Sequence, residues 1–139
     1  MTGRTHDMFA LTGLLVIGLA YPPAQLTLGT LVATVVANQM GGIAPDIDQS
    51  TAPFWRNLPL AGFLGKTVSR LLGGHRFLTH SVLGLVLTAL LTQWFLRVLH
   101  PIIPRIDINV VWWGFMIGIV SHLIIDSSKN QRFKEQGQA

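Results

Sequence analysis

Apolar positions in this chain fall in long unbroken runs. They show neither the alternation of a half-buried strand nor the stripe of a soluble amphipathic helix. No Asp, Glu, Lys or Arg occurs from Met8 to Pro45, from Phe77 to Leu96, or from Ile108 to Ile125. Charge-free apolar stretches of about 18 residues or more read as membrane-crossing helices. The first run is too long for one span. Tyr21-Pro22-Pro23 divides it, because proline removes a backbone donor and disfavours helical geometry in the residue before it. The pattern predicts helices over roughly Thr5–Leu19, Leu26–Ile43, Thr79–Leu99 and Asn109–Asp126, the third stopping at His100-Pro101. The expected fold is all-α, a polytopic membrane protein built as a bundle of about four transmembrane helices. Residues 1–128 form the membrane-embedded domain, and 129–139 a polar C-terminal tail that frays.

Composition strengthens this reading. A chain of 139 residues has room for one domain. Half of it is apolar, mean hydropathy is +0.49, and 12% is charged, against about 25% in soluble domains. That balance excludes a water-soluble globule and a disordered chain. Cysteine is absent, which excludes disulfides, a thiolate nucleophile and a Cys-based zinc site. Gly13, Gly18, Gly29, Gly84, Gly114 and Gly118 suit close helix packing in lipid. Asn38 and Gln39 read as interhelical hydrogen bonders. Trp94, Trp112 and Trp113 lie toward one end of the third and fourth helices, as in an interfacial aromatic belt. The first helix, with Arg4 before it, has no Ala-x-Ala-like cleavage site, and Pro22-Pro23 stands where cleavage is expected. It reads as a span, not as a secretory signal.

Sidedness follows from the basic residues. Four spans put Arg4, Arg56, Lys66, Arg70, Arg76, Lys129, Arg132 and Lys134 on one side, and only Arg97 and Arg105 on the other. The positive-inside rule then places both termini and the loop from Pro45 to Leu78 in the cytoplasm. The net charge of +4 lies in short segments beside apolar runs. The lipid bilayer is therefore the expected partner and nucleic acid is not.

Histidine and aspartate are unevenly placed. His6 starts the first helix, and Asp46 and Asp48 follow the second. His75 and His80 precede the third, and His122 and Asp126 close the fourth. These seven residues come from four segments, yet the topology gathers them at the cytoplasmic face. His122 and Asp126 are i and i+4 and share a helix face. Asp46 and Asp48 can point the same way if their segment is extended. His75 and His80 lie about 140° apart on an ideal helix and converge only if Gly73-Gly74 bends the chain first. Imidazole and carboxylate donors without thiolate suit zinc, manganese or iron, with zinc first. Seven donors exceed one tetrahedral ion and suit two ions bridged by a carboxylate, a site that activates water and holds a phosphoester oxygen. Taken singly, Asp46 with Asp48 also fits a turn, His122 with Asp126 a hydrogen-bonded interfacial pair, and His6 and His100 helix boundaries. Arg76 suits a phosphate or one more cytoplasmic positive charge. The segment from Thr51 to Lys66, with Phe54, Trp55, Leu58 and Phe63, is expected on the membrane surface as a gate or an interfacial support.

The blocks Thr5-His6-Asp7-Met8-Phe9, Pro45-Asp46-Ile47-Asp48, Gly74-His75-Arg76-Phe77-Leu78-Thr79-His80-Ser81 and Ser121-His122-Leu123-Ile124-Ile125-Asp126 resemble the YdjM-like family of bacterial inner-membrane proteins, described as metal-dependent hydrolases. The order and spacing match nearly the whole chain up to Asp126. The resemblance implies that His6, Asp46, Asp48, His75, His80, His122 and Asp126 are the metal-site positions. It also implies a distant kinship with zinc-dependent phospholipase C and related nucleases, and hence a phosphoester substrate. The short polar tail after Ser127-Ser128 departs from family members that continue with further apolar sequence.

The leading expectation is a membrane-embedded hydrolase of a phosphoester or lipid-related substrate that uses metal-activated water. A non-catalytic metal carrier or sensor fits the same cluster. A metal-independent lipid phosphatase would use His122 and Asp126, but its basic phosphate motif and Pro-Ser-Gly-His block are missing.

Overall fold

The computed structural model describes residues 3–48 and 81–136, with side chains for 7–46 and 81–128. His75, Arg76, His80 and the 51–66 segment lie outside the described residues, as do the side chains of His6 and Asp48. Four α-helices form: α1 (Gly3–Ala20), α2 (Leu28–Ile43), α3 (Val82–Leu99) and α4 (Ile108–Gln136). A short 3-10 turn, η1 (Ala44–Asp48), continues directly from α2.

The ends follow local chemistry. Thr27 caps α2 by accepting from the Thr30 amide at 3.1 Å. Ser81 caps α3 through the Gly84 amide at 3.0 Å. The Asp107 carboxylate takes the Asn109 and Val110 amides at 2.9 and 3.3 Å at the start of α4. Helix α1 stops before Pro22-Pro23, as the sequence predicts. Helix α4 does not end at Asp126. It runs on to Gln136, because Lys129 to Gln136 contains helix formers and no Gly or Pro before Gly137. The polar tail therefore begins as helix.

Polarity is arranged inside out. The buried residues include Thr30, Thr34, Asn38, Ser121 and His122 beside the apolar Ala10, Val111, Ile119 and Ile125. Large apolar side chains face outward on all four helices, with Leu19, Leu28 and Val82 each more than three-quarters exposed. An exterior of this kind is unstable in water and matched to lipid. Val82–Leu99 and Ile108–Ser128 are long and apolar enough to cross a membrane. Helix α2, at 16 residues, is shorter, and the apolar part of α1 covers Asp7–Ala20.

Helices α2 and α4 run parallel along a seam of four-residue steps. On α2 and η1 the steps are Thr30, Thr34, Asn38, Gly42 and Asp46; on α4 they are Gly114, Gly118, His122 and Asp126. A methyl group added at Gly114 would meet the Thr34 carbonyl oxygen at 2.8 Å. One added at Gly118 would run into the Asn38 carbonyl, and one at Gly41 into the Phe115 carbonyl. Only glycine permits backbones this close, the logic of a G-x-x-x-G contact. Asn38, fully buried, donates from Nδ2 to the Gly114 carbonyl at 3.1 Å. Gln39 donates to Asn38 Oδ1 at 3.2 Å and to the Asp7 carbonyl at 3.5 Å. The start of α1 is thereby fixed beside the end of α2, and Gly13 of α1 lies against Ser121 of α4.

Helix α3 is attached more loosely, and Gly84 is its buried residue. Trp112, expected from the sequence in an aromatic belt, makes specific contacts within the bundle. Its indole N–H donates to the Ala89 carbonyl of α3 at 2.9 Å, and its ring stands edge-on to Trp113 with centroids 4.9 Å apart. Trp112→Phe keeps the ring and removes this bond. The expected result is a loss of about 1 kcal/mol, read as faster amide exchange in α3 with α2 and α4 protected as before.

Candidate metal centre

The seam ends in chemistry. One turn beyond Gly118 the α4 face presents His122, and one turn further Asp126. One turn beyond Gly42 the α2 face presents Asp46, because η1 carries the helix path forward instead of turning away. Pro45 fits there, since its fixed φ suits a 3-10 turn. The segment is thus not extended. The condition under which Asp46 and Asp48 are expected to point the same way, an extended segment, is therefore not met, and the side chain of Asp48 lies outside the described residues.

His122 is 2% exposed. Its Nδ1–H donates to the Gly42 carbonyl at 2.6 Å. That bond fixes the tautomer and turns the Nε2 lone pair toward Asp46 and Asp126. Nε2 lies 3.4 Å from Asp46 Oδ1 and 3.6 Å from Asp126 Oδ2. Ligand atoms from the three residues lie within 4.8 Å of one another. Donors bound to one tetrahedral ion at about 2.1 Å stand about 3.4 Å apart. One imidazole and two carboxylates at this spacing, with the second ring nitrogen held by a backbone carbonyl, fit a divalent metal ion. The Asp46 side chain is 32% exposed and that of Asp126 18%, so both carboxylates are part-buried beside the fully enclosed imidazole.

Of the seven residues named from sequence, the structure brings together Asp46, His122 and Asp126. The backbones of His6 and Asp48 lie at the same end of the bundle, in α1 and η1. His75 and His80 lie outside the described residues. His100 caps α3 at the opposite end. Sequence reasoning missed the Gly42 carbonyl, a backbone group. The four-residue step from Gly42 to Asp46, matching that from Gly118 to His122, was its available signal.

The model of the YdjM inner membrane protein family matches residues 1–134. The chain belongs to this family. It is also 30% identical over 127 residues to an uncharacterized protein, YvsG, of Bacillus subtilis (strain 168), a match covering 91% of this chain and 67% of that one. No solved structure matches. As the YdjM family is one of inner membrane proteins, its name agrees with the apolar exterior and the two helices of spanning length.

Proposed function

We propose that this YdjM-family protein is a membrane-embedded, metal-dependent hydrolase of a phosphoester or lipid-related substrate. The observation that carries the reading is His122, buried and oriented by the Gly42 carbonyl so that Nε2 faces two carboxylates. Asp46, His122 and Asp126 would hold the first ion, for which zinc is the best match to the donors. His6, Asp48, His75 and His80 would complete the site and admit a second ion. When bound, the ion supplies Lewis acidity toward water and a phosphoryl oxygen. The chain's own part is to fix the imidazole and to balance the ion's charge with two carboxylates. Nε2 enclosed between carboxylates favours a ligand over a nucleophile, which weighs against the metal-independent phosphatase.

In this reading all four helices cross the inner membrane, α1 and α2 as short spans, with both termini in the cytoplasm. The parallel course of α2 and α4 supports it, as do eight basic residues on the metal side against two on the other.

Metal analysis of the full chain purified in detergent tests the proposal. One or two equivalents of zinc are expected in the wild type, with at least half lost in Asp46→Asn, Asp126→Asn and His80→Ala. A phosphodiesterase or phosphomonoesterase activity should fall with the metal. Metal binding without turnover would turn the reading to a carrier or sensor. No metal after zinc or manganese supply would end it.

A further inference from the structure

Beside the metal cluster, α1 and α4 enclose an open apolar hollow of about 610 Å³ lined by Phe9, Gly13, Ile117, Val120, Ser121 and Ile124. A second hollow of about 510 Å³ shares Ile17, Trp113 and Ile117 with it and continues it away from the cluster. The first hollow runs along α4 from Ile124 to Trp113. At about 1.5 Å per residue that is about 17 Å, close to half of a hydrocarbon core of about 30 Å. Two hydroxyls line it. Thr12 spends its proton on the Met8 carbonyl of its own helix at 2.8 Å. Ser121 is 5% exposed, and its Oγ makes no hydrogen bond among the described residues. A buried hydroxyl without a partner is costly in an apolar wall. It is one residue deeper along α4 than His122, on the adjacent face.

We infer that this groove holds one acyl chain of a cytoplasmic-leaflet glycerophospholipid, with Ser121 Oγ–H donating to the ester carbonyl and the phosphate directed to the metal end. The inference rests on the hydrolase reading for the role of the headgroup, and names its substrate as a membrane phospholipid. Three observations carry it together: an apolar groove of about 17 Å along α4, a hydroxyl more than nine-tenths buried in its wall, and the place of that hydroxyl next in sequence to His122 of the His/Asp donor cluster found among the described residues. Ordinary lipid covering explains an apolar surface but not a buried hydroxyl set into it.

The test uses the full chain in vesicles of phosphatidylethanolamine and phosphatidylglycerol, with a trace of phosphatidylglycerol carrying a diazirine in one acyl chain. Adducts are mapped by peptide mass spectrometry, and metal content is measured on the same samples. Labelling of Val16, Ile117 and Val120 should exceed that of the outward Leu87 and Leu91 of α3 at least fivefold. Val120→Trp, which fills the groove, should abolish the excess. Unlabelled diester lipid should compete about fivefold better than its diether analogue, the effect of one hydrogen bond. Ser121→Ala, a small change that keeps the packing, should remove that preference while metal content stays at wild type. Equal labelling of groove and α3, unchanged in Val120→Trp, would overturn the inference, as would equal competition by both lipids in the wild type. Metal present without groove labelling defeats the groove alone. Groove labelling without metal sustains the groove and defeats the hydrolase reading.

Discussion

Gly118→Leu is expected to separate α2 from α4 and to unfold most of the protein at temperatures where the wild type is stable. A single added methyl at this position runs into the Asn38 carbonyl and approaches the Gly42 amide nitrogen to 2.8 Å. Both obstacles are backbone, so no rotamer change relieves them. Overpacking a well-filled core costs about 1–3 kcal/mol when side chains can move. Here a helix must move, and a loss beyond about 3 kcal/mol is expected. The displacement also removes the Asn38 bond to Gly114 and draws the Gly42 carbonyl away from His122. Metal binding should therefore fail together with thermal stability, followed by intrinsic tryptophan fluorescence in detergent. Gly18→Ala serves as the control, since a Cβ there meets nothing within 4 Å among the described residues and should leave both properties unchanged. Retention of both in Gly118→Leu would mean that the close seam is not what holds the bundle.

The same seam explains what was legible in the sequence. Charge-free runs and Pro22-Pro23 place all four helices, because apolar length and a missing backbone donor act locally. The gathering of Asp46, His122 and Asp126 at one end follows from the parallel course of α2 and α4 along their seam, the arrangement that helices of alternating direction would produce. The seam itself is written in Thr30-Thr34-Asn38-Gly42 and Gly114-Gly118, but glycine recurs throughout the chain, and which glycines meet a partner depends on pairing of helices distant in sequence. The hydrogen bond from His122 to Gly42 is still less visible, since any residue at position 42 would offer a carbonyl. A methyl added at Gly42 would meet the Ala10 methyl at 3.7 Å, an ordinary contact, so the side chain at that position does not mark the bond either. Trp112 illustrates the converse. Its position fits an aromatic belt, and a single contact with Ala89 ties α3 to α4. The extension of α4 to Gln136 reflects helix-forming residues that are polar, so an apolar pattern stops marking the helix where the backbone continues.

His122→Ala is the substitution that bears most directly on the metal reading. It removes one donor and leaves two carboxylates facing each other with no imidazole between them, so affinity for zinc should fall at least a hundredfold. The Gly42 carbonyl also loses its donor, a cost of about 1–3 kcal/mol for a buried group. Reduced stability alone would therefore not distinguish a ligand from a structural histidine. The response to added metal does. A ligand that binds only the folded state stabilises by about 2.7 kcal/mol at a hundredfold excess over its dissociation constant. Wild type should show that rise in melting temperature with zinc and lose it on chelation. His122→Ala should show neither, at any zinc concentration the wild type tolerates. His100→Ala, at the far end of the bundle, should respond as the wild type does. If His122→Ala were still stabilised by zinc to the wild-type extent, the ion would sit elsewhere, and the imidazole held by Gly42 would be a packing element between α2 and α4.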